Sequence, residues 1–457
     1  MAEEYECRGE WWLPSNPSTC LAGTLTFSQD MGAILELDGS FTREPEESEL
    51  FNPPIVNGVS NTGTDITLCH CLGKRLTIYS GGRTTSKVYA HNLFVGVHFK
   101  DEDDIKFRHM IVYYSHLDGW LGISGFKTRE EGKEIIIKYK EPDSIRAFIS
   151  STVALSLDFG HSYSPYMLTE ATLKQSVHVT LLPVENMAFT EYKELIHQFQ
   201  NFLSLATTEY VYPTFIAGLA EIDSYKKTMG NHIGYPFVNV FYQLARSPQK
   251  YAETSSPDPL FTFKAISNEF EQYLQNWFEK QELLKPVHQL YFGTLYNPAM
   301  YLDQRFMAYV QALEAYHRRT TDNFELSEEE HEERIKQILD SVSPHYKAWL
   351  RAKLEYSNEP SLRKRLKELI EANRALPSGL ARDGKDLINK VCTTRNYLIH
   401  YDSKLEGEVA KGEELYNLTQ KLKVLLEACF LRELGFSSKT ARTLLSNRYR
   451  RFAFIQE

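Results

Sequence analysis

Arg395-Asn396-Tyr397-Leu398-Ile399-His400 closes a segment in which Leu387, Ile388, Val391, Leu398 and Ile399 recur at helical spacing. A stripe of that period is one face of a helix turned toward a core. Asp383 stands where the N-cap of this helix is expected, and Tyr401-Asp402-Ser403 with Gly407 predicts its end near His400. Asn396 and His400 are four residues apart and share one face. Arg395 is turned from His400 by about 140° at 3.6 residues per turn. Its long side chain still reaches the same rim if the helix stops there.

Helical patterns surround this segment. They run over 263–283, 303–319, 344–356, 361–375 and 412–434, with Gly435 as a stop and a last short helix at 437–445. Ser327 with Glu330 forms a capping box that opens 328–342. Earlier in the chain the pattern changes. Short β-rich runs at 23–27, 32–37, 66–71, 76–79, 93–99, 106–114, 133–139, 150–159 and 176–182 are separated by turn residues. One helix interrupts them, with Thr190 as N-cap, Glu191 in its first turn, and Leu195, Ile196, Phe199, Phe202, Leu203 and Leu205 along one side. Apolar runs at 210–217 and 235–244 then rejoin the sheet or form a small α+β appendage. The Ser- and Pro-rich stretch 252–259 is the linker. The expected architecture is α+β and multidomain: a β-rich, sandwich-like domain with a helix at 1–250, then an all-helical bundle at 251–457.

The chain has 457 residues, 42% hydrophobic and 24% charged, an ordinary composition for a globular protein. No window approaches the roughly 18 uncharged apolar residues of a transmembrane span. The start, Met1-Ala2-Glu3-Glu4-Tyr5-Glu6, is acidic, the reverse of a signal peptide, so a cytoplasmic location is expected and no membrane partner. Six cysteines, at 7, 20, 69, 71, 392 and 429, are too sparse for a disulfide framework. Cys69-His70-Cys71 has metal-binding residue types, but neighbours on a strand point to opposite faces, so a shared ion is not expected there. No cofactor motif is present: no P-loop, dinucleotide fingerprint, HExxH or GxSxG.

Charge is unevenly placed. Residues 1–250 hold 21 Lys and Arg against 30 Asp and Glu, which accounts for the whole net charge of −9. Residues 341–457 hold 22 basic against 14 acidic, a net +8. A locally basic surface is what phosphate contact needs, although solvated helix faces produce the same count. Arg442, Arg448, Arg450 and Arg451 form a basic tail that either steers RNA or is simply solvated. Glu325 to Glu333 is an acidic run suited to the first turns of a capped helix. His109, His116 and Asp118 lie around 113–120, where a β-hairpin with packed aromatics is expected rather than a ligand site.

The residues at 395–400 suit phosphodiester chemistry. Cleavage by an internal 2′-hydroxyl needs a base, an acid for the leaving 5′-oxygen, and positive charge on the crowded phosphorane. Histidine serves as base or acid near neutrality, and arginine binds phosphate oxygens through its fork. One histidine does not conveniently do both jobs in one step, and a two-fold dimer would bring a second. As a bare pattern Arg-x4-His is common, and a capping histidine beside a surface arginine would produce it too.

Arg395-Asn396-x-x-x-His400 resembles the Arg-x4–6-His motif of the HEPN superfamily, including the polar residue after the arginine. The whole chain resembles ApeA-type anti-phage proteins, which pair an N-terminal β-rich domain with a C-terminal HEPN domain. Gly9-Glu10-Trp11-Trp12-Leu13-Pro14, Gly23-Thr24-Leu25 and Leu35-Glu36-Leu37-Asp38-Gly39 resemble the start of that first domain, and the segment from Arg305 to Arg318 resembles an early HEPN helix. The resemblance implies a metal-independent endoribonuclease of abortive infection. It implies tRNA or another RNA as substrate, a homodimer or higher oligomer, and a phage-derived trigger received by the N-terminal domain. It implies Arg395 and His400 as catalytic residues and Asn396 as an orienting or phosphate-binding one. Glu314 either orients Arg395 or His400 or pairs with Arg318 at i+4. Lys390 and Tyr401 either touch RNA or lie on the surface. The other reading is a non-catalytic helical dimerisation module behind a β-rich partner-recognition domain.

Overall fold

The computed structural model describes residues 4–41, 50–78, 83–164, 169–222, 225, 227–229, 232–235, 237–243, 258–373, 376–377, 380, 382 and 384–452. Asp383, and the expected linker as far as residue 257, lie outside them. The chain divides into two compact units: Met1–Pro257 with Thr262–Gln275, and Asp258–Phe261 with Asn276–Glu457.

The first unit is β-rich, and its sheet closes on itself. The strands β1 (Tyr5–Leu13), β2 (Asn16–Ser28), β3 (Gly32–Leu37), β4 (Ile55–Ser60), β5 (Asp65–Ile78) and β6 (Arg83–Val95) pair antiparallel in the cyclic order β1-β2-β3-β6-β5-β4. The sandwich-like expectation therefore sharpens to a barrel, in which each of these strands has a pairing neighbour on both sides. Alternating residues fill it, among them Leu25, Leu35, Val56, Ile66, Leu68 and Val88. Trp11 is fully buried among them and donates its indole N–H to the Gly23 carbonyl at 3.3 Å. Gly58 lies opposite Trp11 on β4, where a Cβ would sit inside the indole ring, so glycine is required for the tryptophan to fit.

One edge of β6 pairs with β5 along its length. The other edge is shared between β3, over Ser86 to Ala90, and a strand of a second array, over Asn92 to Val95. That array comprises β7 (His109–Tyr114), β8 (Ile145–Phe148), β9 (Val153–Tyr163), β10 (Leu173–Pro183), β11 (Pro213–Leu219) and β12 (Phe237–Tyr242), ordered β12-β11-β7-β10-β9-β8. Helix Phe189–Thr207 packs on it through Tyr192, Ile196, Phe199 and Phe202, and the Tyr114 hydroxyl donates to the Ile196 carbonyl at 2.9 Å. The runs near 210–217 and 235–244 rejoin the sheet as β11 and β12.

Three local expectations are corrected. The helix begins at Phe189 rather than after Thr190, because the Glu191 carboxylate accepts from the Ala188 N–H at 3.1 Å and so caps the end two residues earlier. Residues 113–120 are not a hairpin. His116 adopts a left-handed backbone (φ 64°), and a helical turn Leu117–Leu121 follows, burying Trp120 against Phe202 and Phe263. Finally, Cys69 and His70 do not point apart. Ile66 and Leu68 face the barrel core, but the next core residue is Cys71, one step out of phase. His70 absorbs the change with a left-handed backbone (φ 55°). Its Nδ1 consequently lies 3.7 Å from the Cys69 sulfur.

The second unit is helical. Its helices include Gln281–Tyr296, Leu302–Thr320, Glu328–Asp340, Pro344–Lys353, Leu362–Ala372, Gly384–His400, Gly412–Leu434 and Ser438–Arg448. The Ser327–Glu330 capping box forms as expected, and Gly435 ends its helix in a left-handed conformation (φ 102°). The single helix expected over 263–283 is broken into Phe263–Ile266, Phe270–Glu279 and the start of Gln281–Tyr296. The last break falls at Lys280, whose ammonium reaches Glu433 at 2.7 Å.

Glu427, in the middle of the longest helix, is fully buried. It accepts from the Tyr291 and Tyr449 hydroxyls, each at 2.7 Å, with the Lys423 ammonium 3.6 Å away. Burial first, and then the Glu427 charge, push both phenols well above their usual pKa, so both remain donors. Removing one partner of such a set leaves the others desolvated without compensation. Glu427→Ala should therefore lower the unfolding free energy of the helical unit by about 3–5 kcal/mol, read from urea denaturation followed by far-ultraviolet circular dichroism. An unchanged midpoint would show that the network adds nothing.

Candidate functional site

Helix Gly384–His400 packs on helices Leu362–Ala372 and Leu302–Thr320. Leu387, Ile388, Val391, Cys392 and Thr394 form its buried face. The expected stripe fails in the last turn: Leu398 is only half-buried and Ile399 is 42% exposed. The helix outruns its packed core by that turn, and this is what exposes the motif.

The helix ends at His400. Tyr401 takes a left-handed backbone (φ 50°), uncommon for a non-glycine residue, and its N–H meets the Tyr397 carbonyl at 2.6 Å. The Tyr397 and Tyr401 rings meet edge-on with centroids 5.6 Å apart. Two contacts hold the loop that follows, and a third reaches the helix beyond it. The Ala410 N–H donates to the Thr394 hydroxyl at 3.1 Å, and the Lys390 ammonium donates to the Glu408 carbonyl at 3.1 Å and pairs with Glu414 at 2.8 Å. Lys390 is thus a tie between the helix and its loop.

Asn396 and His400 are exposed, and Arg395 is half-exposed. Arg395 Nη1 donates to Asn396 Oδ1 at 3.2 Å. Among the described residues Arg395 has no ion pair, and no hydrogen bond joins it to His400. The helix stays regular through 400, so Asn396 and His400 share a face while Arg395 diverges, as the spacing requires. Exposed Ile399 and Tyr401 (69%) sit beside them.

Glu314 lies elsewhere in the network. Arg318, its expected i+4 partner, pairs instead with Glu359 at 2.6 Å. Glu314 acts with Glu359 and Glu368 on the buried guanidinium of Arg365, offsetting the burial and the Arg318 charge that lower its pKa. Arg365 Nη1 donates to His317 Nδ1 at 3.2 Å, and His317 Nε2 meets Glu368 at 2.6 Å. Glu314 therefore belongs to the buried seam between helices Leu302–Thr320 and Leu362–Ala372, on which the motif helix rests. Sequence reasoning missed this seam, although His317 one turn after Glu314, and Glu368 three residues after Arg365, carried the signal.

It also missed an aromatic face. Helix Pro344–Lys353 buries none of its residues. Tyr346 (55% exposed) and Trp349 (62%) stand on one side of it with Lys353, and Tyr356 (70%) follows. Among the described residues Arg351 and Lys353 have no ion pair. The groove between this helix and Glu328–Asp340 has a mixed lining, with Glu329, Glu332, Glu333 and Asp340 set against Lys336, Lys347 and Arg351. Of the basic tail, Arg450 and Arg451 are drawn to Asp258, at 3.0 and 3.8 Å. Among the described residues one group of Cys, His and carboxylate side chains is close enough to share a cation: Cys69, His70 and Glu102, in the β-rich unit.

The model of ApeA N-terminal domain 1 matches residues 6–277, more than half of the chain, and that of the ApeA-like HEPN domain matches residues 307–440. The chain belongs to the ApeA family. That makes it a HEPN nuclease-type anti-phage protein, a β-rich domain followed by a helical HEPN domain. No curated protein and no solved structure matches the chain. Among the described residues no helix is long and apolar enough to cross a membrane. The HEPN match spans the motif helix and its supporting seam, including Arg395, Asn396 and His400.

The tie between Thr394 and Ala410 is the test of how the loop is held. Thr394→Val keeps the shape and leaves the buried Ala410 N–H without an acceptor, at a cost of about 1–3 kcal/mol. Hydrogen exchange of the Ala410 amide should speed up in that variant, and unchanged protection would remove the tie from the account.

Proposed function

We propose that this ApeA-family protein is an endoribonuclease that cuts RNA, with tRNA the expected target, by attack of an internal 2′-hydroxyl on the adjacent phosphate. The observation that carries the proposal is the exposed end of helix Gly384–His400, where Arg395, Asn396 and His400 stand among the solvent-facing residues. Neighbouring cations such as Lys390 and Arg365 are already tied to carboxylates.

His400 takes the proton from the 2′-hydroxyl. Arg395 holds the non-bridging oxygens as charge develops on the phosphorane. Asn396 turns the arginine through the 3.2 Å hydrogen bond and lies on the His400 face, where it can also bind phosphate. The 5′-oxygen leaves with a proton from a second His400, supplied by a two-fold partner. HEPN domains commonly act as dimers, and exposed Ile399 and Tyr401 are apolar surface that a second copy would cover. The products are a 2′,3′-cyclic phosphate and a 5′-hydroxyl. Imidazole and guanidinium supply all the proton transfers and charge, so the step needs no metal.

The aromatic face of Pro344–Lys353 extends the reading. Stacking on exposed Tyr346, Trp349 and Tyr356 with Arg351 and Lys353 nearby is a mode suited to unpaired bases. The β-rich domain, which contains no such arginine–histidine set, is the proposed sensor that restrains the nuclease until a phage product arrives, and the cytoplasm is the proposed site of action. Its acidic excess can compete with RNA for the basic helical surface, and added salt would then relieve the block.

His400→Ala and Arg395→Ala should each reduce RNA cleavage by roughly 10²–10⁴-fold and abolish growth arrest during phage infection. Product ends should be cyclic phosphate and 5′-hydroxyl, and cleavage should persist in EDTA. Full activity in both variants would exclude this nuclease reading and leave the helical domain as a dimerisation module. An active enzyme that sediments strictly as a monomer would exclude the paired histidines.

Trp349→Ala should weaken binding of single-stranded RNA by about 1–3 kcal/mol, the usual worth of one stacked base. Fluorescence anisotropy with a labelled oligonucleotide measures it. Equal affinity in the variant would take this helix out of the RNA-binding surface.

A further inference from the structure

The barrel carries a cluster that the nuclease chemistry does not use. It forms where β5 loses its alternation. Because His70 adopts a left-handed backbone, its ring and the Cys69 thiol lie on the same side, while Cys71 turns into the core. Such a backbone is costly for a side-chain-bearing residue and clusters at functional positions. Glu102, in the turn Glu102–Asp104, reaches the same place.

The three side chains converge closely enough to share one ion. Cys69 Sγ lies 3.7 Å from His70 Nδ1 and 3.9 Å from Glu102 Oε1, and His70 Nε2 lies 3.6 Å from Glu102 Oε1. All three residues offer ligand atoms within 4.8 Å of one another. A tetrahedral zinc site, with metal–ligand bonds of about 2.0–2.3 Å, has ligand–ligand edges of about 3.4–3.6 Å. With Nε2 as the ligand atom, its edge to Glu102 and the edge from Glu102 to Cys69 already lie within about 0.5 Å of those lengths, and the third edge closes by a turn of the exposed imidazole.

A second observation comes from Asn92, across the strand pair from Cys69. Asn92 is 3% exposed, and its Nδ2 lies 3.1 Å from His70 Nδ1. Its Oδ1 is buried without a hydrogen-bond partner. Turning the amide over gives that oxygen the Nδ1–H of His70 as donor. The Nε2 lone pair then faces Glu102, and the ring is held as ligating histidines are held by outer polar partners. One thiolate, one carboxylate and one neutral imidazole match the charge of a divalent ion.

We propose that Cys69, His70 and Glu102 form a binding site for a zinc-type divalent cation on the barrel of the N-terminal domain, with Asn92 orienting His70. The mixed sulfur, nitrogen and oxygen set favours a borderline ion over magnesium or calcium. With three protein ligands a fourth position stays open to water or to another ligand. The bound ion would staple the Glu102–Asp104 turn to β5. This site stands independently of the ribonuclease reading.

Cobalt titration of the full-length, chelator-treated protein tests it. One equivalent of Co²⁺ should produce a thiolate-to-cobalt charge-transfer band in the near ultraviolet, and Zn²⁺ should bleach it. Cys69→Ser should abolish the band, and Cys20→Ser, which alters an exposed cysteine, should leave it intact. Asn92→Ala should weaken cobalt binding roughly 10–100-fold. Zn²⁺ should raise the melting temperature of the parent protein and not that of His70→Gln or Glu102→Gln, whose replaced side chains are substantially exposed, so folding defects do not obscure the result. No band in folded protein at saturating Co²⁺, or a band that survives Cys69→Ser, overturns the proposal.

Discussion

A carboxylate in the interior of the helical unit sets the arrangement on which the rest depends. Glu427 has no access to water and holds two tyrosine hydroxyls, one from helix Gln281–Tyr296 and one from the end of helix Ser438–Arg448. A buried charge of this kind tolerates little displacement, because each lost donor exposes a desolvated oxygen. The same helix carries Glu433, which gathers the Lys280 ammonium and the Tyr316 hydroxyl. Burial alone would raise the Glu433 pKa. The hydrogen bonds from Lys280 and Tyr316, with the Lys280 and Arg432 charges, hold it below the usual value instead, so it stays ionised. Helix Leu302–Thr320 is thereby placed against the longest helix, and the His317–Arg365–Glu368 seam places helix Leu362–Ala372 on it in turn.

The motif helix rests on the outer side of that assembly, and its chemistry follows from how little holds its last turn. Apolar packing stops at Thr394, and beyond it the polar side chains emerge. Arg395 is held only by its neighbour Asn396 within the described part of the protein. Several cations of the supporting helices are tied instead: Lys390 to Glu414, Lys280 to Glu433, Arg318 to Glu359. The contrast matters physically. An arginine already bound to a carboxylate must give up that partner before it takes a phosphate, whereas Arg395 has none to give up.

Much of the fold was legible because helices and strands write themselves locally. The Ser327–Glu330 box and the left-handed Gly435 needed only residues within a turn of one another. The motif was legible for the same reason: four residues put Asn396 and His400 on one face whatever surrounds them. The misreadings share a different cause. Glu191 moved a helix start by capping Ala188, and His116 and His70 entered the left-handed region without a glycine to announce it. The assumption that Cys69 and His70 must point apart failed because alternation holds only while the backbone stays extended. At His70 the core on one side and Glu102 with Asn92 on the other outweigh that preference. The effect of Glu314 on Arg365 was out of view because Arg318 is its helical neighbour and Arg365 lies far along the chain.

By itself the sequence determined the two-part organisation, the period of most elements, the caps at Ser327 and Gly435, and the presence of an Arg-x4-His set on one helix. These are short-range properties, settled by steric limits on the backbone and by side chains a few residues apart. The tertiary structure decided what long-range contact alone can decide. It closed the N-terminal strands as a barrel by pairing β1 with β4 and β5 with β6. It chose which carboxylates would be buried and which cations they would hold, and it let the motif helix run one turn beyond its core. Burial depends on what arrives from elsewhere in the chain, so the six residues from Arg395 to His400 name the chemistry, and the packing beneath them decides that it faces outward.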